Sequence, residues 1–98
     1  MDRFRELMVE RWREFEHEAA AIDEGILVTV RGKEWYRTLD STERSLADEV
    51  LADWVLHGTS GERFDALALI GKFRIRTAEP ALRQLARHWT TRPVQRLV

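Results

Sequence analysis

Glu14 and His17 stand three residues apart, the Glu-x-x-His spacing with which carboxylate-bridged di-iron bundles hold a metal. Such sites need a second pair and two further Glu, and no second pair occurs in this chain. His57 precedes Gly58 at a helix end, where a protonated imidazole would meet the negative end of the helix dipole, a structural role. His88, beside Trp89, has no Ser or Asp at an interpretable spacing for nucleophilic catalysis. Gly58-Thr-Ser-Gly61 leads into Glu62-Arg63 and not into the Lys-Ser/Thr that a phosphate-binding loop requires. The chain has no Cys, which removes thiolate zinc sites, iron–sulfur clusters, disulfides and cysteine nucleophiles together. The residues that carry chemistry elsewhere therefore point to a protein that is not an enzyme and holds no cofactor or metal.

Binding chemistry is better represented. Fourteen of the 16 basic residues are Arg, whose planar fork suits bidentate contacts to carboxylate or phosphate. The net charge of −1 hides a split: residues 1–58 carry eight Lys/Arg and 14 Asp/Glu, residues 59–98 eight and three. A small domain polarised in this way can orient a partner or associate head to tail through its acidic N-terminal and basic C-terminal surfaces. Arg83 and Arg87 are four residues apart on one helix face and, with Arg74 and Arg76 before them and Arg92 and Arg96 beyond, form the strongest basic patch. Glu6, Glu10, Glu14 and Glu18 recur every four residues as an acidic ridge, partly neutralised by Arg11 and Arg13. Trp35 and Tyr36, flanked by Arg31, Lys33 and Arg37, offer an aromatic anchor of the kind that dominates binding hot spots.

The elements that must position these residues are mainly helical. Ninety-eight residues suit one domain with one core, of 44% apolar content. Phe4, Leu7, Met8, Trp12, Phe15, Ala19 and Ile22 repeat by threes and fours, an amphipathic first helix within residues 1–24, with Gly25 beyond its end. Residues 26–37 concentrate β-branched and aromatic side chains on both sides of Arg31-Gly32 and read as a short β-hairpin, or else as an irregular connector. The second helix, from about Ser41 to His57, buries Leu46, Ala47, Val50, Leu51, Trp54 and Val55, with Asp40 or Ser41 as cap and Glu43 completing a capping box. Thr59-Ser60-Gly61 reads as a turn. A third helix ends near Phe73, and a fourth opens after Thr77 with Pro80 in its first turn and Ala81, Leu82, Leu85, Ala86 and Trp89 inward. Residues 90–98 read as a tail or as a further short helix begun at Thr91 and Pro93. Trp12, Trp54 and Trp89 fall on apolar stripes and read as packing residues.

The pair Arg63-Phe-Asp-Ala-Leu-Ala-Leu-Ile-Gly71 and Thr77-Ala-Glu-Pro-Ala-Leu-Arg-Gln-Leu-Ala86 resembles a HEAT repeat, through Ile70-Gly71 and Ala78-Glu-Pro-Ala-Leu82. With the helix before it, the resemblance covers residues 41–89, about one and a half units, where an array needs about three. It implies a small four- to five-helix domain with HEAT-like αα-hairpin packing that serves as a scaffold for binding proteins or, less often, nucleic acids. On that arrangement Asp48 and Asp53 join Arg83 and Arg87 on the outward side. The expected function is a protein-binding module, an adaptor, inhibitor or immunity-type partner, with Arg74, Arg76, Arg83, Arg87, Trp35, Tyr36, Asp48 and Asp53 as its contact residues. The alternative is a nucleic-acid-associated protein using the C-terminal Arg patch, against which stand the near-neutral charge and the absence of a nucleic-acid motif. No apolar run approaches a membrane span, and the charged start lacks a signal-peptide pattern, so the expected setting is cytoplasmic.

Overall fold

The computed structural model describes the backbone of residues 3–97 and the side chains of residues 3–88. It is all-helical, in the order α1 (Arg3–Ala21), α2 (Ile26–Arg37), α3 (Ser41–His57), α4 (Ser60–Phe73), a 3-10 turn (Arg76–Ala78) and α5 (Glu79–Leu97). Two elements differ from the expectation. The segment 26–37 is neither hairpin nor connector but helix α2, because its buried positions Val28, Thr29, Gly32 and Tyr36 recur with helical spacing. One continuous face against two neighbouring helices outweighs the β-propensity of Ile26, Val28, Thr29 and Val30. The tail is also not a separate helix: α5 continues past Thr91 and Pro93 to Leu97. The side chains of Trp89, Arg92 and Arg96 lie outside the described residues.

Local chemistry sets the boundaries. Asp40 caps α3 by accepting from the Glu43 N–H at 2.8 Å, while Glu43 accepts from the Asp40 N–H at 3.0 Å, so the expected capping box is present. Thr59 and Glu62 form a second box at α4, where the sequence reading had placed only a turn. The turn between α1 and α2 takes its left-handed residue at Asp23 (φ 56°), not at Gly25, which is right-handed at φ −56°.

Trp12 is the centre of the core. Its indole meets Phe15, Trp35 and Trp54 edge-on, with centroids 5.4, 5.9 and 5.2 Å away, and thereby ties α1 to α2 and α3. A Cβ at Gly32 would stand 2.8 Å from this ring, so the glycine that looked like a turn residue serves close approach of α1 and α2 within a helix. Thr29 meets Asp65, Gly32 lies over Leu69 and Tyr36 stacks on Phe73, so α2 and α4 run parallel, side by side. Because Trp12 reaches Gly32, Asp65 and Trp54, α1 and α3 lie beneath one face of this α2–α4 layer. α5 packs on α3, beyond the 3-10 turn.

Candidate functional site

The strongest candidate is the corner where α4 passes through the 3-10 turn into α5. α4 ends at Arg74, which adopts the left-handed conformation (φ 53°, ψ 54°) usually given to Gly or Asn. The N–H groups of Arg74 and Ile75 both donate to the Ile70 carbonyl, closing the helix. Ile75 is buried and extended, so Arg74 and Arg76 on either side of it remain exposed. Ala78, fully buried, fixes the turn that follows. The result is a shallow groove of about 300 Å³ with an apolar floor of Ile70, Ile75 and Leu82, bordered by Arg74, Arg76 and Glu79.

The charges at this end are left open. Among the described residues, Arg5 pairs with Asp53, Arg11 with Glu14, Arg31 with Glu18 and Glu34, and Arg83 with Glu79, whereas Arg74 and Arg76 form no ion pair with a described residue. The end of α2 and the start of α3 add cations that lie over rings: Arg37 is 5.7 Å from the Phe73 centroid and Arg44, in the first turn of α3, 5.3 Å from that of Tyr36. Some of this basicity suits the helix C-termini, where cations meet the negative dipole end. The groove can thus receive a carboxylate or phosphate over an apolar floor. Its described lining residues include no nucleophile and no acid–base pair.

The expected contact residues do not form one surface. Arg74 and Arg76 share the groove. Arg83 is exposed and reaches Glu79 at 3.4 Å along α5, while Arg87 is exposed and already engaged in a contact of its own. Trp35 is half-buried between Phe4 and Trp12. Tyr36 is buried and its hydroxyl donates to Asp48 at 2.7 Å, so both residues serve packing of α2 on α3. Burial, and then the bond to Asp48, push the phenol up to about 12. Asp53 is held by Arg5. Glu14 and His17 are both exposed, and no cluster of metal-ligating side chains occurs among the described residues.

A buried polar centre was not anticipated. Asp65, 6% exposed, accepts from the Thr29 hydroxyl at 2.8 Å and from the Trp12 indole N–H at 3.1 Å, joining α4 to α2 and α1. Burial pushes its carboxyl above the usual carboxylate range, the two hydrogen bonds oppose that rise, and Glu62 adds to it. No described side-chain polar atom is left buried without a partner. The signal in the sequence was an Asp next to Ala66 and four residues before Leu69, at the spacing of one helix face. With both oxygens occupied and solvent excluded, this carboxyl holds helices together.

No described helix is long and apolar enough to cross a membrane. No family model matches the sequence, and neither a curated protein nor a solved structure matches it.

Proposed function

We propose that this chain is a small, non-enzymatic protein-binding module, an adaptor, inhibitor or immunity-type partner that receives an acidic segment of another protein in the groove between α4 and α5. The observation that carries the reading is the pair of exposed cations, Arg74 and Arg76, standing over the apolar floor of Ile70, Ile75 and Leu82 without a carboxylate of their own. The backbone adds support. A non-glycine residue in the left-handed region costs roughly 1 to 2 kcal/mol, and an Arg kept there at the lip of a groove suggests a use for its side chain. The resemblance of residues 41–89 to a HEAT repeat agrees with a binding scaffold and favours no reaction.

The second reading takes the same two guanidiniums as phosphate ligands of a nucleic acid. Capture from the native lysate by wild type and by the Arg74→Glu/Arg76→Glu variant, each with and without nuclease, separates the readings. The expected result is one stoichiometric protein that survives nuclease and is lost with the charge reversal. Recovery of nuclease-sensitive material alone, falling steeply with salt, supports the nucleic-acid reading. Capture indifferent to the reversal removes the groove from both.

A further inference from the structure

The two ends of the α2–α4 layer carry complementary chemistry. Residues 14–30 hold five acidic side chains and no Lys or Arg, whereas residues 66–78 hold Lys72, Arg74 and Arg76 and no acid. Within the first stretch, Glu14 and Glu18 are taken up by Arg11 and Arg31. Asp23 and Glu24, in the turn between α1 and α2, form no ion pair with a described residue. Their backbone N–H groups donate to the Ala20 and Ala19 carbonyls at 3.3 and 2.9 Å, which fixes the turn against the end of α1 and leaves residues 20–26 all exposed. Ile22 and Ile26 bracket the two carboxylates, each 57% exposed. A Cβ at Gly25 would meet nothing within 4 Å, so the turn stands clear of the other described residues.

The groove between α4 and α5 is the converse, an apolar floor of Ile70, Ile75 and Leu82 with Arg74 and Arg76 at its border. Its one bordering acid, Glu79, is drawn along α5 toward Arg83 at 3.4 Å. This lining fits an apolar side chain next to carboxylates: the floor supplies contact area and the guanidinium forks grip the charges. Ile22-Asp-Glu-Gly-Ile26 has that composition. It cannot reach the groove of its own chain. Because α2 and α4 run parallel, with Thr29 on Asp65 and Tyr36 stacked on Phe73, the turn lies at the opposite end of the layer. At 1.5 Å of rise per residue, Asp23 is about 20 Å from the level of Phe73 along the helix axes.

We infer that the groove of one copy receives the turn 22–26 of a second copy, with Asp23 and Glu24 set against Arg74 and Arg76 and an isoleucine on the apolar floor. The inference rests on the reading of the groove as an acceptor of acidic segments, and it makes the chain's own turn a competitor of the partner. Two different patches meet, so each docked pair leaves one turn and one groove for a further contact. One turn on one shallow groove buries far less than a standard stable complex, so the contact is weak and fills as protein concentration rises.

Sedimentation equilibrium of the purified full chain, up to about 1 mM and at low and high salt, tests the inference. Two near-isosteric variants accompany it, each at exposed positions and each checked for its helical circular dichroism. Arg74→Gln/Arg76→Gln discharges the groove and Asp23→Asn/Glu24→Gln discharges the turn. The expected result is a wild-type mass that rises with concentration and falls with salt, and self-association weaker by roughly tenfold or more in each variant alone. Mixed, the two variants form a one-to-one heterodimer and nothing larger, because only the intact turn of the first fits the intact groove of the second. Wild type that sediments at 11.5 kDa throughout at low salt overturns the inference. So does association indifferent to either variant, or a mixture no tighter than its components. Capture from the native lysate by the same variants separates this inference from the partner-binding reading. A monomeric wild type whose capture is still lost in Arg74→Gln/Arg76→Gln removes the contact between copies and keeps the partner. Capture indifferent to that variant, with self-association lost in both, removes the partner and keeps the contact.

Discussion

The centre beneath the α2–α4 layer and the corner between α4 and α5 treat polar groups in opposite ways. Around Trp12, every described hydrogen-bonding side-chain group taken out of water is matched: Asp65 accepts from the indole N–H and the Thr29 hydroxyl, and the Tyr36 hydroxyl donates to Asp48. At the corner, Arg74 and Arg76 stand in solvent over apolar side chains, and the backbone at Arg74 is strained. A polar group whose partner is internal belongs to the fold. One without an internal partner, at a position the backbone disfavours, is where a use outside the fold is to be tested.

The comparison breaks first at Trp12. Trp12→Ala should cost about 4 kcal/mol, because it removes the ring that three aromatic neighbours pack against and takes one donor from buried Asp65. Urea denaturation measures this; a loss below about 1 kcal/mol would mean that the centre is not where stability resides.

Asp65 sharpens the same side. Asp65→Ala leaves the Trp12 indole and the Thr29 hydroxyl without acceptors and should cost roughly 2 to 4 kcal/mol. Asp65→Asn keeps both contacts, its carbonyl accepting from Trp12 and its amide donating to the Thr29 oxygen, and carries no charge. The wild-type carboxyl has its pKa raised by burial, so its contribution to stability is complete below the ordinary Asp value of 3.8 and is lost as pH rises through the raised one. Asp65→Asn should therefore match or exceed wild type at neutral pH, and the difference should shrink as pH falls toward 3.8 and below. Thermal melts of both proteins across that range decide it.

Gly32 shows what the sequence conceals. Helix propensity alone makes Gly32→Ala a gain of about 1 kcal/mol at a mid-helix position. The new Cβ would meet the Trp12 ring at 2.8 Å, and that ring is confined by three others, so the expected result is a net loss of about 2 kcal/mol. A stabilised variant would show that α1 and α2 can separate freely.

The legible parts of the fold were those in which one helix carries its own signal. α1 declared itself by the stripe from Phe4 to Ala19, and α3 by its apolar face and by the Asp40/Glu43 box. Residues 26–37 misled because their composition and their period disagree. Ile-Leu-Val-Thr-Val favours a strand in isolation, whereas 28, 29, 32 and 36 give a helical face that matters only once α1 and α4 are present to cover it. The contact residues were legible in type more than in place. Arg74 and Arg76 emerged on a groove, but Tyr36, Asp48 and Asp53, polar enough to suggest a surface, were taken up by partners 12 and 48 residues away that no local spacing discloses. Asp65 was hidden for the same reason: its donors come from two other helices.

The smallest effect falls on the other side of the comparison and has the opposite sign. If Arg74 is kept for its side chain against the preference of its backbone, Arg74→Gly relieves the left-handed strain and should stabilise the fold by about 1 kcal/mol. The same substitution removes one of the two cations at the lip of the groove and should weaken capture of the acidic partner. Arg74→Lys keeps the strain and a positive charge but loses the planar fork, so it should leave stability unchanged and weaken capture less. Stability and capture moving in opposite directions at one residue is the signature of a position held for binding. If Arg74→Gly stabilises the protein and leaves capture untouched, Arg74 is only a poor cap, and the groove loses its strongest support.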